Sequence, residues 1–486
     1  ELLIGPAKVV KPLLWSLSRV FAALSHAQTL LVRNVTVLPM NAQEQLNAQD
    51  VLIREGRIAA LADHGLLTVP ADTTVIDGRG RTLLPGLSDM HTHIAGYAEG
   101  EQADSGTGPL TSVAENQLLM YLATGVTLLR DTGGSEAHFA VKERLERGEW
   151  LGPDMLFTSP VLEGERAVWD FATKVTDPGE AKGLIAGYAE RGYWGIKTYH
   201  TLDAEVFEAI LDAARANGLP VIGHVPFEVG IEDALRSGML TIEHLRGYDF
   251  DGMDAETLFA DGGRSRERFL SLVRMNDSRM DELVALTVAE GVWNCPTLAI
   301  NRFLAEPESR AALIEEPRYR LVHPELRSSV ENASALDEIF SPDAKAALRE
   351  ALPRSLELVR RLHAAGGRLL IGTDAVVPAW VPGFTPIDEM KMIAQSGIPN
   401  DAVLRMATID AAQLLGLEAE RGTVAVGKEA SLILVSGNPL EDLDALWQLE
   451  GVIHAGRWHS HEDLQAALEA QAARFPALDA TPASAD

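Results

Sequence analysis

The sequence predicts an α/β fold: a (β/α)8 TIM-like barrel carrying a small β-sandwich domain built from both chain ends. Three observations predict it. Short β-rich runs broken by turn residues fill the region before residue 86 and return after residue 417. Between them, apolar strand-like runs alternate with helix-like segments, the pattern of a parallel sheet wrapped by helices. Several of these runs also end on His, Lys or Asp, where the mouth of such a barrel lies.

Residues 1–27 stand apart. In "KPLLWSLSRVFAALSHA", Leu13, Leu14, Leu17, Val20, Phe21 and Leu24 form one helical stripe, with Lys8 and Lys11 on the N-terminal side. Three readings stay open: a signal-like segment, a membrane-surface helix, or a helix docked on the body or on a second subunit. Residues 28–85 and 418–461 are assigned to the composite β domain, through "QTLLVRNVTVLPM", "DVLIREGRIAALA" and "TTVIDGRGRTLLPG" and then "GTVAVGKEASLILVSGNPL". Residues 86–417 are assigned to the barrel. Its strand candidates are "LLPGLSDM", "GVTLLRDT", "DMLFTSP", "GIKTYH", "LPVIGHV", "LTIEHL", "VWNCPTL" and "RLLIGTD". Helical patterns such as "AEVFEAILDAARANG" lie between them, closed here by Gly218. Residues 250–290 and 300–365 exceed simple crossovers and are expected to form a helical cap over the mouth. Residues 462–486 are read as a C-terminal helix and tail.

Bulk composition narrows the function. The 486 residues suit one large domain plus a smaller one, and 46% hydrophobic with 23% charged content is that of a globular protein. Forty-two Lys and Arg against 70 Asp and Glu give a formal charge of −28, which argues against a nucleic-acid partner. The single cysteine, Cys295, excludes an intrachain disulfide and a Cys-based zinc finger, so any metal must be held by His, carboxylate or something less usual. No apolar run reaches 18 residues, so no transmembrane helix is expected. The compartment stays open: cytoplasmic, or periplasmic or secreted if residues 1–27 act as a signal. A homo-oligomer is expected from the acidic surface and the apolar N-terminal stripe.

The chemistry sits at the strand ends. In "LLPGLSDMHTHI", His91 and His93 are separated by one residue, so on a strand both imidazoles face the same side. Strand four carries Lys197 in "GIKTYH", strand five ends in His224 of "VIGHVP", strand six in His244 of "TIEHLRG" and strand eight in Asp374 of "LLIGTDA". Each alone reads equally well as a hydrogen-bonded polar residue closing a strand. Together they make an N/O donor set for one or two divalent metals.

These residues, with "LLPGLSDMHTH" and "VLRMATIDAAQLLGLEAERGTVAVGKEASLILVSGNPL", resemble the amidohydrolase superfamily of metal-dependent hydrolases over about residues 28–461. The order His-x-His, Lys, His, His, Asp is similar to the binuclear subtype, within the prolidase-like dipeptidase and ochratoxin-amidase-like branch. Ser431 stands where the family usually has Asp, and Pro226 where many dipeptidase-like relatives have Tyr. The resemblance implies a CO2-derived carbamate on Lys197 bridging two divalent ions, zinc by default. His91, His93, Lys197 and Asp374 would hold one; Lys197, His224 and His244 the other. Only a neutral amine reacts with CO2, and burial lowers a lysine pKa, so the modification is chemically reasonable.

The implied reaction is hydrolysis of an amide bond in a dipeptide or N-acyl amino acid. A hydroxide bridging the metals attacks, and Asp374 moves its proton to the leaving group. Tyr199, His200 and Tyr248 are candidates to donate to the developing oxyanion. Arg246 and Arg302 are candidates to grip a substrate carboxylate. Asp131, ending strand two, could orient a ligand His. Glu243 precedes a ligand on its strand, so its side chain is expected to face the opposite way in a structural role. A hydrolase of a lactone, cyclic amide or carbamate needs the same centre with a different pocket. A metal-stabilised binding protein is the remote alternative, and it has no reason to keep all six predicted ligands.

Overall fold

A computed structural model describes residues 28–41, 45–94, 109–260, 263–331, 340–375 and 383–475. The expected N-terminal helix at 1–27 and the end of the C-terminal tail lie outside the described residues.

Strands β1 (Leu30–Val37), β2 (Leu46–Arg54), β3 (Arg57–Asp63), β4 (Thr74–Asp77) and β5 (Arg81–Pro85) come from the first chain end. They share one eight-stranded mixed sheet with β16 (Leu432–Ser436), β17 (Leu449–His454) and β18 (Arg457–Ser460), in the order β18-β17-β16-β5-β1-β2-β3 with β4 beside β1. The ends meet where β5 pairs antiparallel with β16, Leu84 opposite Ile433. Because β5 also pairs with β1, both ends hydrogen-bond into one continuous ladder rather than the two separate sheets of the expected sandwich. Its apolar face gathers Leu30, Val32, Val51, Ile53, Leu83, Leu432 and Ile453 into a buried cluster of its own.

The middle of the chain is a TIM-barrel-like α/β fold. Eight parallel strands follow the expected order: β6 (Leu87–Thr92), β7 (Val126–Asp131), β8 (Asp154–Phe157), β11 (Ile196–Thr198), β12 (Val221–Gly223), β13 (Thr241–Glu243), β14 (Trp293–Cys295) and β15 (Arg368–Leu369). They fall into two sheets rather than one uninterrupted ring. One holds β6, β7 and β8; the other runs from β10 (Thr173–Lys174) and β9 (Val161–Glu163) through β11 to β15. Backbone hydrogen bonds stitch both seams: Trp194 N–H to Phe157 O at 2.9 Å and Ser159 N–H to Gly195 O at 2.8 Å on one side, Met90 N–H to Ile371 O at 2.9 Å and Thr373 N–H to His91 O at 3.1 Å on the other.

The helices bury one stripe each. In Ala204–Asn217, Val206, Phe207, Ile210, Leu211 and Ala214 face the strands, and Gly218 closes it with φ 70°. The long segments before β14 and β15 are helical, and the helices Asp277–Glu290 and Pro342–Ala364 lead into those two strands. Two glycines fix the strand ends that matter. A Cβ on Gly372 would lie 2.2 Å from Cys295 Sγ and 2.8 Å from His91 Cβ, so only glycine lets the segment after β15 close on β6. A Cβ on Gly223 would meet Thr198 O at 2.2 Å, directly before His224.

Candidate metal centre

At the C-terminal ends of the strands, side chains from distant parts of the sequence converge. His91, His93 and Asp374 place ligand atoms within 4.8 Å of one another, and all three are buried. Asp374 Oδ1 lies 3.0 Å from His93 Nε2 and 3.3 Å from His91 Nε2, while its Oδ2 is 3.9 Å from His244 Nδ1. The rings of His91 and His244 are 4.5 Å apart, and those of His244 and His224 4.8 Å. Lys197 is 1% exposed at the end of β11. Burial lowers its ammonium pKa to about 8, although the Glu243 and Asp374 charges pull the other way.

The protonation states suit metal ligands. Burial lowers the imidazole pKa of His93, and burial with the neighbouring cationic groups lowers those of His224 and His244 much further. Burial alone would raise the Asp374 carboxyl, but the imidazoles of His244, His91 and His93 hold it well below the usual range. A divalent cation requires the lone pairs of neutral imidazoles and an ionised carboxylate, and the directions at His93, His224, His244 and Asp374 favour those forms. His91 Nε2 is buried with no hydrogen-bond partner among the described residues. The donor set therefore fits a divalent cation.

Backbone strain aims these side chains. Asp374 has φ 61°, and His244 and Leu245 have φ 59° and 57°, a left-handed conformation uncommon outside glycine. This corrects the reading of Glu243. On β13, Thr241 and Glu243 face the barrel interior, and the left-handed turn at His244 brings the next side chain back to the same site instead of away from it. Glu243 Oε2 accepts from or pairs with His91 Nδ1 at 2.6 Å, Arg130 Nη2 donates to Glu243 Oε1 at 2.9 Å, and Thr241 Oγ1 donates to the same oxygen. Burial would raise the Glu243 carboxyl; Arg130 and His91 reverse this and hold it below the ordinary range. His91, Glu243 and Cys295 also lie within 4.8 Å of one another, but Glu243 is committed to Arg130 and His91.

Other candidates are distributed unevenly. Tyr199 stacks on His224 at 3.9 Å, and its hydroxyl accepts a bond of 2.9 Å from Trp169 Nε1. His200 lies against His224, the two Nδ1 atoms 3.2 Å apart, and packs on Phe227, so it supports a ligand from behind. Tyr248 does not reach the centre: the chain turns at Gly247, φ 105°, and the Tyr248 hydroxyl bonds Thr287 Oγ1 at 2.6 Å in the helical layer. Arg246 donates to Asp249 Oδ2 at 2.7 Å, and its Nε is buried without a hydrogen-bond partner among the described residues. Arg302 is half exposed and paired with Glu306 at 3.0 Å one helical turn away, so it is committed on the surface of its helix. Asp131 accepts from Ile94 N–H at 2.5 Å and Gly133 N–H at 2.9 Å and faces His138 Nε2 at 3.1 Å. It fixes the chain directly after His93 rather than bonding a ligand imidazole.

Several residues carry the site without a sequence signal of their own. Arg130 sits inside an ordinary-looking β run, "TLLRD", with nothing to show that it points inward. Thr297 has φ 47° and its Oγ1 lies 2.6 Å from His244 Nδ1. Glu389, buried by the fold, accepts from Leu298 N–H at 2.9 Å and Ala299 N–H at 2.6 Å, anchoring the turn that holds Thr297. Burial raises its carboxyl pKa to about 8.

Ligand-type side chains that could hold a metal thus close the strands of a TIM-like α/β fold, and sequence comparison gives the family. The model of the Amidohydrolase family matches residues 82–459, and the chain belongs to that family. It is a hydrolase of the amidohydrolase superfamily. A stretch of 278 residues is 26% identical to imidazolonepropionase of Salmonella agona, covering 48% of this chain and 67% of that protein. Among solved structures, a Xaa-Pro dipeptidase with methionine bound in its active site superposes with a TM-score of 0.66 at 20% identity, over 89% of this chain and 100% of the other. A bottromycin amidohydrolase superposes with a TM-score of 0.68 at 23% identity, over 93% of each chain.

Proposed function

We propose that the protein hydrolyses an amide bond of a dipeptide or N-acyl amino acid at a binuclear metal centre. The observation that carries this reading is the convergence of His91, His93 and Asp374 within 4.8 Å beside buried Lys197. His91, His93, Lys197 and Asp374 would hold one divalent ion, and Lys197, His224 and His244 a second, with zinc the default for this N/O donor set. A buried amine with a pKa near 8 supports carboxylation of Lys197, because about a tenth of it is neutral at pH 7 and free to react with CO2. When bound, such a pair of cations supplies Lewis-acid polarisation of a carbonyl and an acidified water.

The chain's own residues supply the rest. The Asp374 carboxylate is ionised and adjacent to the imidazoles, so it can accept a proton and deliver it to the leaving nitrogen. Tyr199 accepts from Trp169, which leaves its own O–H free to donate to a substrate oxygen. His200 holds the His224 ring through Nδ1 and keeps Nε2 of that ring available. Arg246, with one donor unused, suits a substrate carboxylate. The dipeptidase and amidohydrolase among the superposed structures are consistent with this class. The match to imidazolonepropionase, named for a ring amide, favours as second reading a cyclic amide, lactone or carbamate substrate with the same centre.

Metal analysis of the purified protein, with a screen of dipeptides and N-acyl amino acids against lactones and cyclic amides, tests both readings. About two divalent ions per chain and turnover of the linear amides is the expected result. Turnover confined to cyclic substrates moves the assignment to the second reading. A protein that takes up no divalent ion overturns both.

A further inference from the structure

We infer that Arg130 and Glu243 form a buried positioning pair that fixes the proton of His91 on Nδ1 and thereby presents Nε2 to the metal. The inference rests on the metal-centre reading above and concerns two residues that no ligand assignment includes.

Arg130 and Glu243 are both 0% exposed, in the interior that barrels ordinarily fill with branched apolar side chains. Burying an ion pair there costs several kcal/mol per ion in desolvation, which a well-packed apolar pair of similar volume avoids. The pair is tightly specified. Arg130 donates from Nε to Met90 O at 2.5 Å, from Nη1 to Thr241 Oγ1 at 3.3 Å and from Nη2 to Glu243 Oε1 at 2.9 Å. Met90 is the residue before His91, so one guanidinium holds both the backbone that carries the ligand and the carboxylate that touches its ring.

The tautomer follows from counting donors. Glu243 Oε1 is taken by Arg130 and Thr241, both donors, which leaves Oε2 for His91 Nδ1 at 2.6 Å. An ionised carboxylate only accepts, so Nδ1 must carry the proton. An imidazole that ligates a metal carries a single proton, so with that proton on Nδ1 the lone pair sits on Nε2. That atom is the buried nitrogen without a hydrogen-bond partner, 3.3 Å from Asp374 Oδ1. The carboxylate also raises the basicity of the ring as a ligand.

Glu243→Gln separates positioning from mere packing. Arg130 and Thr241 still demand an acceptor at the Oε1 position, so the amide NH2 falls on the His91 side and donates to Nδ1. The proton of His91 then moves to Nε2, the wrong atom for a metal. Two measurements read this. In 15N spectra of the metal-free protein, His91 should be Nδ1-protonated in the wild type and Nε2-protonated in E243Q. In chelator competition with Zn2+, E243Q should weaken the site that His91 serves by about 10- to 100-fold. The double variant Arg130→Met/Glu243→Leu removes both charges at similar volume and should keep its thermal midpoint while losing affinity to the same degree. Wild-type Zn2+ affinity in E243Q, or an unchanged His91 tautomer, overturns the proposal while leaving the hydrolase reading intact. A wild-type protein that binds no Zn2+ overturns both.

Discussion

The two halves of the centre are built differently. On one side, His91, His93 and Asp374 stand with charged partners: Asp374 touches both imidazoles, and the Arg130–Glu243 ion pair backs His91. On the other, His224 and His244 are held without a carboxylate behind them, by His200 and the stacked Tyr199 for the first and by the Thr297 hydroxyl for the second. Among the described residues, the carboxylate that pairs with that side is Asp374, 3.9 Å from His244. A cation placed between those two imidazoles has, among the described residues, no anion of its own there. The asymmetry teaches why a buried lysine at this position is chemically useful: carboxylated, it would supply the missing negative charge between the halves, and unmodified, it would repel a cation.

Lys197→Ala is the largest way to break this comparison. With no amine to carboxylate, the neutral half should lose its ion, metal content should fall by about one ion or more per chain, and turnover should drop to background. Full metal content by elemental analysis together with retained activity would sink the carbamate bridge. Asp374→Asn attacks the other half. It removes the anion that touches both His91 and His93, and turnover of a dipeptide or N-acyl amino acid should fall by about 10²- to 10⁴-fold in steady-state kinetics, the range of a lost general base. A loss confined to KM would assign Asp374 to substrate binding instead.

Much of this architecture is legible in the amino-acid chain. The order of strands and helices follows from apolar runs and their breakers, and the six ligand candidates from polar residues closing those runs. What the sequence withholds has identifiable physical causes. Strand alternation assigns the wrong face to Glu243 because it assumes extended backbone, and His244 leaves the strand with φ 59°. Arg130 is invisible because a cation inside a β run reads as an outward-facing residue. Tyr248 is a candidate because it follows strand six and Arg302 as a cation expected at the mouth, whereas one turn at Gly247 and one helical ion pair with Glu306 direct them elsewhere. The single continuous sheet joining both chain ends is not legible, because pairing between β5 and strands from both ends is a long-range register that periodicity does not encode.

The pH dependence sharpens the comparison by isolating Lys197. Its ammonium is held at a pKa of about 8, lowered by burial, so the nucleophilic neutral amine grows as pH rises toward 8 and levels off above it. At fixed CO2 pressure, activation of metal-free protein by added Zn2+ should therefore increase roughly tenfold per pH unit below 8 and then plateau. The sign is diagnostic. A plain Lys197–Asp374 ion pair would weaken with rising pH, so activation that falls or stays flat between pH 6 and 8 would favour that pairing over the carbamate.

The smallest effect is expected at the hydroxyl behind His244. Thr297→Val keeps the branched shape and the left-handed backbone but deletes the oxygen 2.6 Å from His244 Nδ1. A neutral hydrogen bond is worth about 1 kcal/mol, so Zn2+ affinity of the second site should weaken only about fivefold, and Thr297→Ser should restore it. Removing the charged support of His91 should cost more, because an ionised acceptor makes a stronger bond and dictates the tautomer outright. If chelator competition finds T297V as damaging as E243Q, the two halves are supported equally and the distinction between a charged and a neutral side of the centre disappears.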